Sequence, residues 1–483
     1  MSEHDRTRWL ALYVLCAGSL MIVLDMTIVN VALPSIRTDL GFTETSLAWV
    51  VNAYLLTFGG FLLLGGRLGD LFGHRRLFLA GITLFTLASA ACGLSDSQGT
   101  LIAARAVQGL GGAVASAVSL SLIMNLFTSP ADRAKAMGVF GFVASGGGSI
   151  GVLLGGVLTG TINWHWIFLI NLPIGVAVVL FSLRLVPTES GSGVSGRIDF
   201  GGAVTVTAAL MLAVYAIVNG NQNGWTSGET LGLLAGAAAI FAVFLAIESR
   251  VSAPLVPLRL FRLRNLATAN VVGVFWAAAM FAAFFLTALY LQLVLGYSPL
   301  RVGLAFLPTN LVMGFLSLGF SAKIVMRFGI KRPLAVGLSL AAVALLLFAR
   351  APVGGHFLVD LLPGMILLGI GAGIAFNPVL LAAMSDVSPE ESGLASGVVN
   401  TSFMMGGALG LAVLASVAAS RTASLTASGH AHLDALTGGY HISFVVGAIF
   451  ALSAAAIGVA FLRVNAATAG AHAAPEFAAE GGH

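Results

Sequence analysis

The sequence predicts an all-α integral membrane protein that crosses the bilayer fourteen times. Charged residues make up 9% of the 483 and hydrophobic ones 58%, whereas a soluble domain carries about 25% charge. Mean hydropathy is +0.99. Fourteen apolar runs are long enough to span at about 20 residues per helix, and Lys and Arg fall almost entirely on alternate connections between them.

The runs lie near 9–34, 47–66, 77–95, 100–126, 136–160, 165–185, 200–219, 230–248, 266–294, 302–322, 333–350, 357–384, 393–418 and 440–463. The first, Trp9–Pro34, is longer than the apolar core of a signal peptide and lacks a small-residue cleavage site, so it is expected to stay as the first span. Those at 266–294 and 357–384 exceed the hydrocarbon thickness and are expected to tilt, kink or project beyond it. With the N-terminus inside, 18 of the 23 Lys and Arg residues lie on cytoplasmic segments. Four lie outside (Arg37, Arg301, Arg350, Arg421), and Arg105 is within a span. Cytoplasmic loops retain Lys and Arg, so both termini are expected in the cytoplasm and the protein in the inner (cytoplasmic) membrane.

Other features exclude whole function classes. The net charge of +4 is spread over short loops and offers no nucleic-acid surface. Cys16 and Cys92 sit in apolar runs, with neither a disulfide framework nor metal-ligand spacing. No H-E-x-x-H, G-x-S-x-G or phosphate-loop motif supports an enzyme, since the glycines around 145–156 lie inside a span. The spans carry too few polar faces to line a channel. Sixty glycines suit closely packed membrane helices.

The connection Gly66-Arg67-Leu68-Gly69-Asp70-Leu71-Phe72-Gly73-His74-Arg75-Arg76 joins the second and third runs on the basic side. It resembles the G-x-L-x-D-x-x-G-R/H-R/K-R loop of the major facilitator superfamily. Leu24-Asp25-Met26-Thr27-Ile28-Val29-Asn30-Val31-Ala32-Leu33-Pro34 is similar to the first-span signature of that superfamily's fourteen-span drug:proton antiporters. Arg105-Ala106-Val107-Gln108-Gly109 resembles the motif those antiporters use in proton coupling. Asn163-Trp164-His165-Trp166-Ile167-Phe168 with Pro173-Ile174-Gly175, and Tyr290-Leu291-Gln292 with Gly296-Tyr297-Ser298-Pro299, resemble further family segments. Gly329-Ile330-Lys331-Arg332 echoes Gly73-His74-Arg75-Arg76, with Met326 opposite Asp70, as in a duplicated chain.

The resemblance covers nearly the whole chain and implies its organisation. Six-helix bundles at 1–188 and 265–465 would flank an inserted helix pair at 189–264, ahead of a disordered cytoplasmic tail at 466–483. The site would lie between the bundles near the midplane. It further implies a monomer that exports lipophilic or amphipathic small molecules by alternating access. Its partners would be the bilayer, the cargo and protons, with no cofactor and the proton gradient as energy source. An exporter or flippase of a lipid or endogenous metabolite would share every one of these motifs.

Asp25 and Arg105 are the candidates for proton coupling. A charge within a span costs at least about 2.5–3.5 kcal/mol and persists where it is paired, hydrated or useful. Asp25 lies nine residues before Pro34 and Arg105 six after Gly99, about 14 and 9 Å deep, so both fall in the outer half. Gln108 shares Arg105's helix face. Burial disfavours a carboxylate and a nearby guanidinium favours it, so changing their separation would move a proton; a static pair is the alternative.

Gly66, Asp70, Gly73, Arg75 and Arg76 are read by resemblance as a conformational latch on the inner side, against the alternative of a local loop salt bridge. Gly147, Gly151 and Gly155, with neighbouring Gly156, form a packing stripe. Val152 stands where related antiporters carry a proline, so no proline kink is expected there. Asn30, Asn52, Tyr54, Trp276, Met280, Phe284, Tyr290, Gln292 and Asn377 are candidates for the cavity wall, against core packing or lipid contact. In Asn400-Thr401-Ser402-Phe403-Met404 two apolar residues replace the Arg-Gln of many relatives. Asp25 is then the sole acid expected deep in the protein, which favours apolar or amphipathic cargo over multiply cationic cargo.

Overall fold

The computed structural model describes residues 3–127, 129–187, 199–251, 254–388 and 391–463. The Gly/Ser-rich stretch 189–196 and the tail 466–483 lie outside the described residues. Those described are helical nearly throughout, with no strand among them. The rods are α1 (Glu3–Leu40), α2 (Glu44–Phe72), α3 (His74–Gly93), α4 (Gln98–Leu126), α5 (Pro130–Thr161), α6 (Trp166–Leu185), α7 (Phe200–Asn223) and α8 (Gly228–Arg250). After a connecting strap come α9 (Arg264–Val294) and α10, which begins as Pro299–Phe315, passes through a π turn at Leu316–Phe320 and ends as Ser321–Phe328. Last are α11 (Lys331–Phe348), α12 (Phe357–Met384), α13 (Ser392–Ala427) and α14 (His432–Phe461).

Local chemistry sets the ends. Thr43 and Ser97 form reciprocal capping boxes with Ser46 and Thr100, satisfying amide donors that a helix start leaves open. Ser298 caps α10 ahead of Pro299, where a missing N–H does no harm. The duplicated turns are visible in the backbone. Gly73 and Gly329 both have positive φ, +93° and +73°, which a side chain resists.

Twelve helices among the described residues are long and apolar enough to cross a membrane. The fourteen expected crossings therefore stand at twelve by this measure. The other two expected spans fall on α5, where only Ile150–Thr161 registers as a shorter apolar helix, and on α10, which the π turn divides. The overlong run 266–294 ends in a π turn at Tyr290–Val294, and that at 357–384 begins with one at Phe357–Leu361.

Packing repeats eight helices later. α1 packs on α4, α5 and α6, as α9 packs on α12, α13 and α14. The pairs α2–α4, α3–α4 and α3–α6 likewise recur as α10–α12, α11–α12 and α11–α14. The two groups meet along two seams, α2 with α13 and α5 with α10, while α7 and α8 pack on each other and lean against α13 and α2.

Glycines make the close approaches. A Cβ on Gly151 would lie 2.1 Å from Thr27 Oγ1, and one on Gly155 2.6 Å from the Ile28 carbonyl oxygen; Gly147 meets Leu20 and Val23. These three face α1, whereas Gly156 faces α10, 2.7 Å from the Pro299 carbonyl. Gly406 and Gly410 of α13 play the same part against Val274 and Ala278 of α9. Gly155→Leu is expected to cost about 1–3 kcal/mol through overpacking, seen as a lower thermal midpoint of purified protein. Gly232→Leu, whose Cβ would meet nothing within 4 Å, should leave the midpoint nearly unchanged.

Candidate functional site

The Asp25 side chain of α1 is fully buried, and the groups around it come from four other helices. Arg105 Nη1 of α4 donates to Asp25 Oδ2 at 2.5 Å. Gln108 Nε2, also from α4, donates to Asp25 Oδ1 at 2.7 Å, as does Asn171 Nδ2 from α6 at 3.0 Å. Ser89 Oγ of α3 accepts from Gln108 and Asn171 and donates to the Phe168 carbonyl at 2.9 Å. Arg105 is anchored in turn: Nε donates to the Val50 carbonyl of α2 at 2.9 Å and Nη1 to Gln108 Oε1 at 2.7 Å. Its guanidinium lies 4.3 Å from the Tyr54 ring centroid and 5.6 Å from that of Phe168, within the reach of cation–π attraction.

The sequence motifs thus converge: Asp25, Arg105 and Gln108 form one hydrogen-bonded cluster. Helix spacing puts Gln108 one turn below Arg105, where its amide oxygen meets the guanidinium and its amide nitrogen the carboxylate. Gly109 allows α4 to approach, since a Cβ there would lie 2.4 Å from the Tyr54 carbonyl. Ser89, Asn171 and the Val50 carbonyl are the members sequence reasoning missed. Asn171 had a signal, standing within the segment between Phe168 and Pro173 that resembles the family's entry to its sixth span.

The other candidates are dispersed. Asp70 is exposed, with Oδ1 3.3 Å from His74 Nε2 one turn on, and Arg75 donates to the Leu183 carbonyl. Arg76 is exposed and nothing lies within 4 Å of a Cβ on Gly66. Tyr54 is buried against Arg105. Asn52 is buried with neither amide atom hydrogen-bonded. Trp276 is buried in α9, and Met280 is partly buried. Phe284 stacks on Phe306, and Tyr290 donates to the Pro352 carbonyl at 2.6 Å. Asn377 donates to the Ser317 carbonyl, and Asn30 to that of Thr27. Gln292 joins the two bundles by donating to the Val31 carbonyl at 2.8 Å, beside a cleft of about 660 Å³ that also borders Asp39 and Tyr297.

One expectation is corrected. Asp25 is not the sole buried acid: Asp199 is 7% exposed and Glu248 3%. Asp199 caps α7 by accepting from the Gly202 amide at 2.7 Å. Glu248 accepts from the Val256 amide at 3.0 Å, because the strap after α8 folds back over the helix end.

The profile of the Major Facilitator Superfamily matches residues 15–411. The puromycin resistance protein pur8 of Streptomyces alboniger is 39% identical, over 92% of this chain and 90% of its own. The cephamycin export protein CmcT of Amycolatopsis lactamdurans is 36% identical, over 94% of this chain and 93% of its own. A solved bacterial homologue of the human lysosomal transporter Spinster, inward-facing and unoccupied, superposes with TM-score 0.68 at 17% identity, over 97% of this chain and 98% of that one. At that identity the likeness speaks for the fold.

Removing one member of a buried ion pair strands the other, a loss of about 3–5 kcal/mol. Arg105→Ala is therefore expected to lower the thermal midpoint sharply. The double variant Asp25→Asn/Arg105→Gln should recover most of that loss, and a double-mutant cycle on purified protein measures the coupling.

Proposed function

The chain belongs to the Major Facilitator Superfamily, and on that premise we propose that it exports lipophilic or amphipathic small molecules from the cell in exchange for protons. The observation that carries this reading is the buried Asp25 cluster. A carboxylate so far from water is stabilised only by its donors, so any conformational change that withdraws Arg105 or Gln108 favours the protonated form. A carrier needs that coupling between shape and protonation.

The two bundles contact each other along two seams, which supports alternating access by rocking. Asp70, at the inner end of α2, is the proposed latch. Relatives named for puromycin resistance and cephamycin export support cargo of antibiotic size and chemistry. Counting α5 and α10 gives fourteen crossings with both termini in the cytoplasm, in the inner membrane. The protein works as a monomeric carrier rather than an enzyme, and the proton gradient is its energy source.

Purified protein in liposomes with an imposed pH gradient tests this. Wild-type protein is expected to drive a lipophilic cationic dye or puromycin uphill, with counterflow of protons. Asp25→Asn, still folded, should lose most of the uphill component. Uphill transport retained by that variant would reject the role of Asp25.

A further inference from the structure

The inserted pair encloses a space of its own. Between α7–α8 and the α2–α13 seam lies a chamber of about 470 Å³, within the range of roughly 300–1,000 Å³ that holds drug-sized ligands. Leu63, Val206, Phe241, Phe244, Val256 and Met405 wall it. None belongs to the Asp25 cluster or to the expected central cavity. Close packing explains why the chamber exists. α7 reaches α2 through Gly60, where a Cβ would lie 1.9 Å from Thr207 Oγ1. Toward the outer side, α7 is tied to α13 by Asn221 Nδ2, which donates to the Ser416 carbonyl at 2.7 Å. On the inner side the strap closes the floor, held by the Val256 amide on buried Glu248.

Two hydroxyls stand in this otherwise apolar wall, those of Thr401 and half-buried Ser402, and the first is without a partner. Thr401 lines the chamber, is 8% exposed, and its Oγ1 has no hydrogen-bond partner. Buried hydroxyls are normally satisfied, so the site is incomplete as it stands. Phe241 and Leu245 line the chamber and also face outward, 40% and 39% exposed. They lie nine and five residues before Arg250, about 8–14 Å from the cytoplasmic end of α8, at the depth of the inner leaflet.

We infer that this chamber binds an uncharged amphipathic small molecule, its apolar body among the phenylalanines and one polar group on Thr401, taken laterally from the inner leaflet. A lipid acyl chain would fill the volume but leave Thr401 unpaired. α2 and α13 belong to different bundles, so rocking changes the chamber's width and can pass its occupant inward. This role rests on the export reading, whereas its test needs no gradient.

Benzophenone is the probe: uncharged, with one carbonyl acceptor, and photoreactive toward nearby C–H bonds. With the full chain in phospholipid nanodiscs, adducts are expected on residues 241–245 and 398–405, mapped by mass spectrometry. Unreactive fluorenone, which keeps the carbonyl, should compete better than fluorene, which lacks it. Thr401→Val removes a hydroxyl that bonds nothing and so should fold normally. It should weaken fluorenone competition roughly threefold to tenfold, the worth of one hydrogen bond, and leave fluorene competition unchanged. Adducts confined to lipid-facing sites such as Leu231 would overturn the proposal, as would indifference of both competitors to Thr401→Val. Displacement by palmitate alone would assign the chamber to an acyl chain and overturn it too. Pocket adducts in protein that shows no pH-driven transport would uphold the chamber and remove the export reading instead.

Discussion

One carboxyl group dictates the arrangement of half the molecule. Asp25 is fully buried, so its carboxyl group must be solvated by donors from the protein. The donors and their supports come from α2, α3, α4 and α6. Five of the first six helices are thereby fixed in register by one polar cluster. Apolar contact between membrane helices has little directional preference; a network with a single satisfied geometry specifies where each helix stands. Glycines then let the backbones come near enough for short side chains such as Ser89 and Asn171 to reach the centre.

The two bundles share their pairings but not their chemistry. α13 approaches α9 through Gly406 and Gly410 as α5 approaches α1 through Gly151 and Gly155, so small residues recur at the same joints. No ion pair lies deep within α9–α14 among the described residues; Arg259–Glu391 joins the strap after α8 to the start of α13. The buried ion pair thus belongs to the first bundle. The second offers aromatic and methionine side chains, including Phe281, Phe403 and Phe376 in edge contact, surfaces that can repack around varied cargo. That division suits a carrier in which one half senses protons and the other accommodates shape.

How far the sequence could be read depended on how unusual each residue was in its setting. Asp25 and Arg105 announce themselves as charges in apolar runs, and Gln108 follows from helix spacing. Ser89 resembles any serine in a membrane helix, and its partners are fixed by tertiary packing alone. Tyr54 was legible only as a candidate for the cavity wall, because its place beside the Arg105 guanidinium depends on how α2 packs against α4. Asp199 and Glu248 stand at the margins of apolar runs, where acids are ordinarily hydrated. The strap folds the Val256 amide onto Glu248, and Asp199 turns back to cap α7. The π turns that end α9 and divide α10 have no local signature in the sequence.

The central claim is that Asp25 takes up and gives off a proton within the folded protein. Infrared difference spectroscopy on a pH step reads the protonated carboxyl directly, apart from any transport. Wild-type protein in lipid should show a buried carboxylic-acid band that titrates and is missing from Asp25→Asn. An identical titrating band in that variant would place the proton elsewhere and contradict the account.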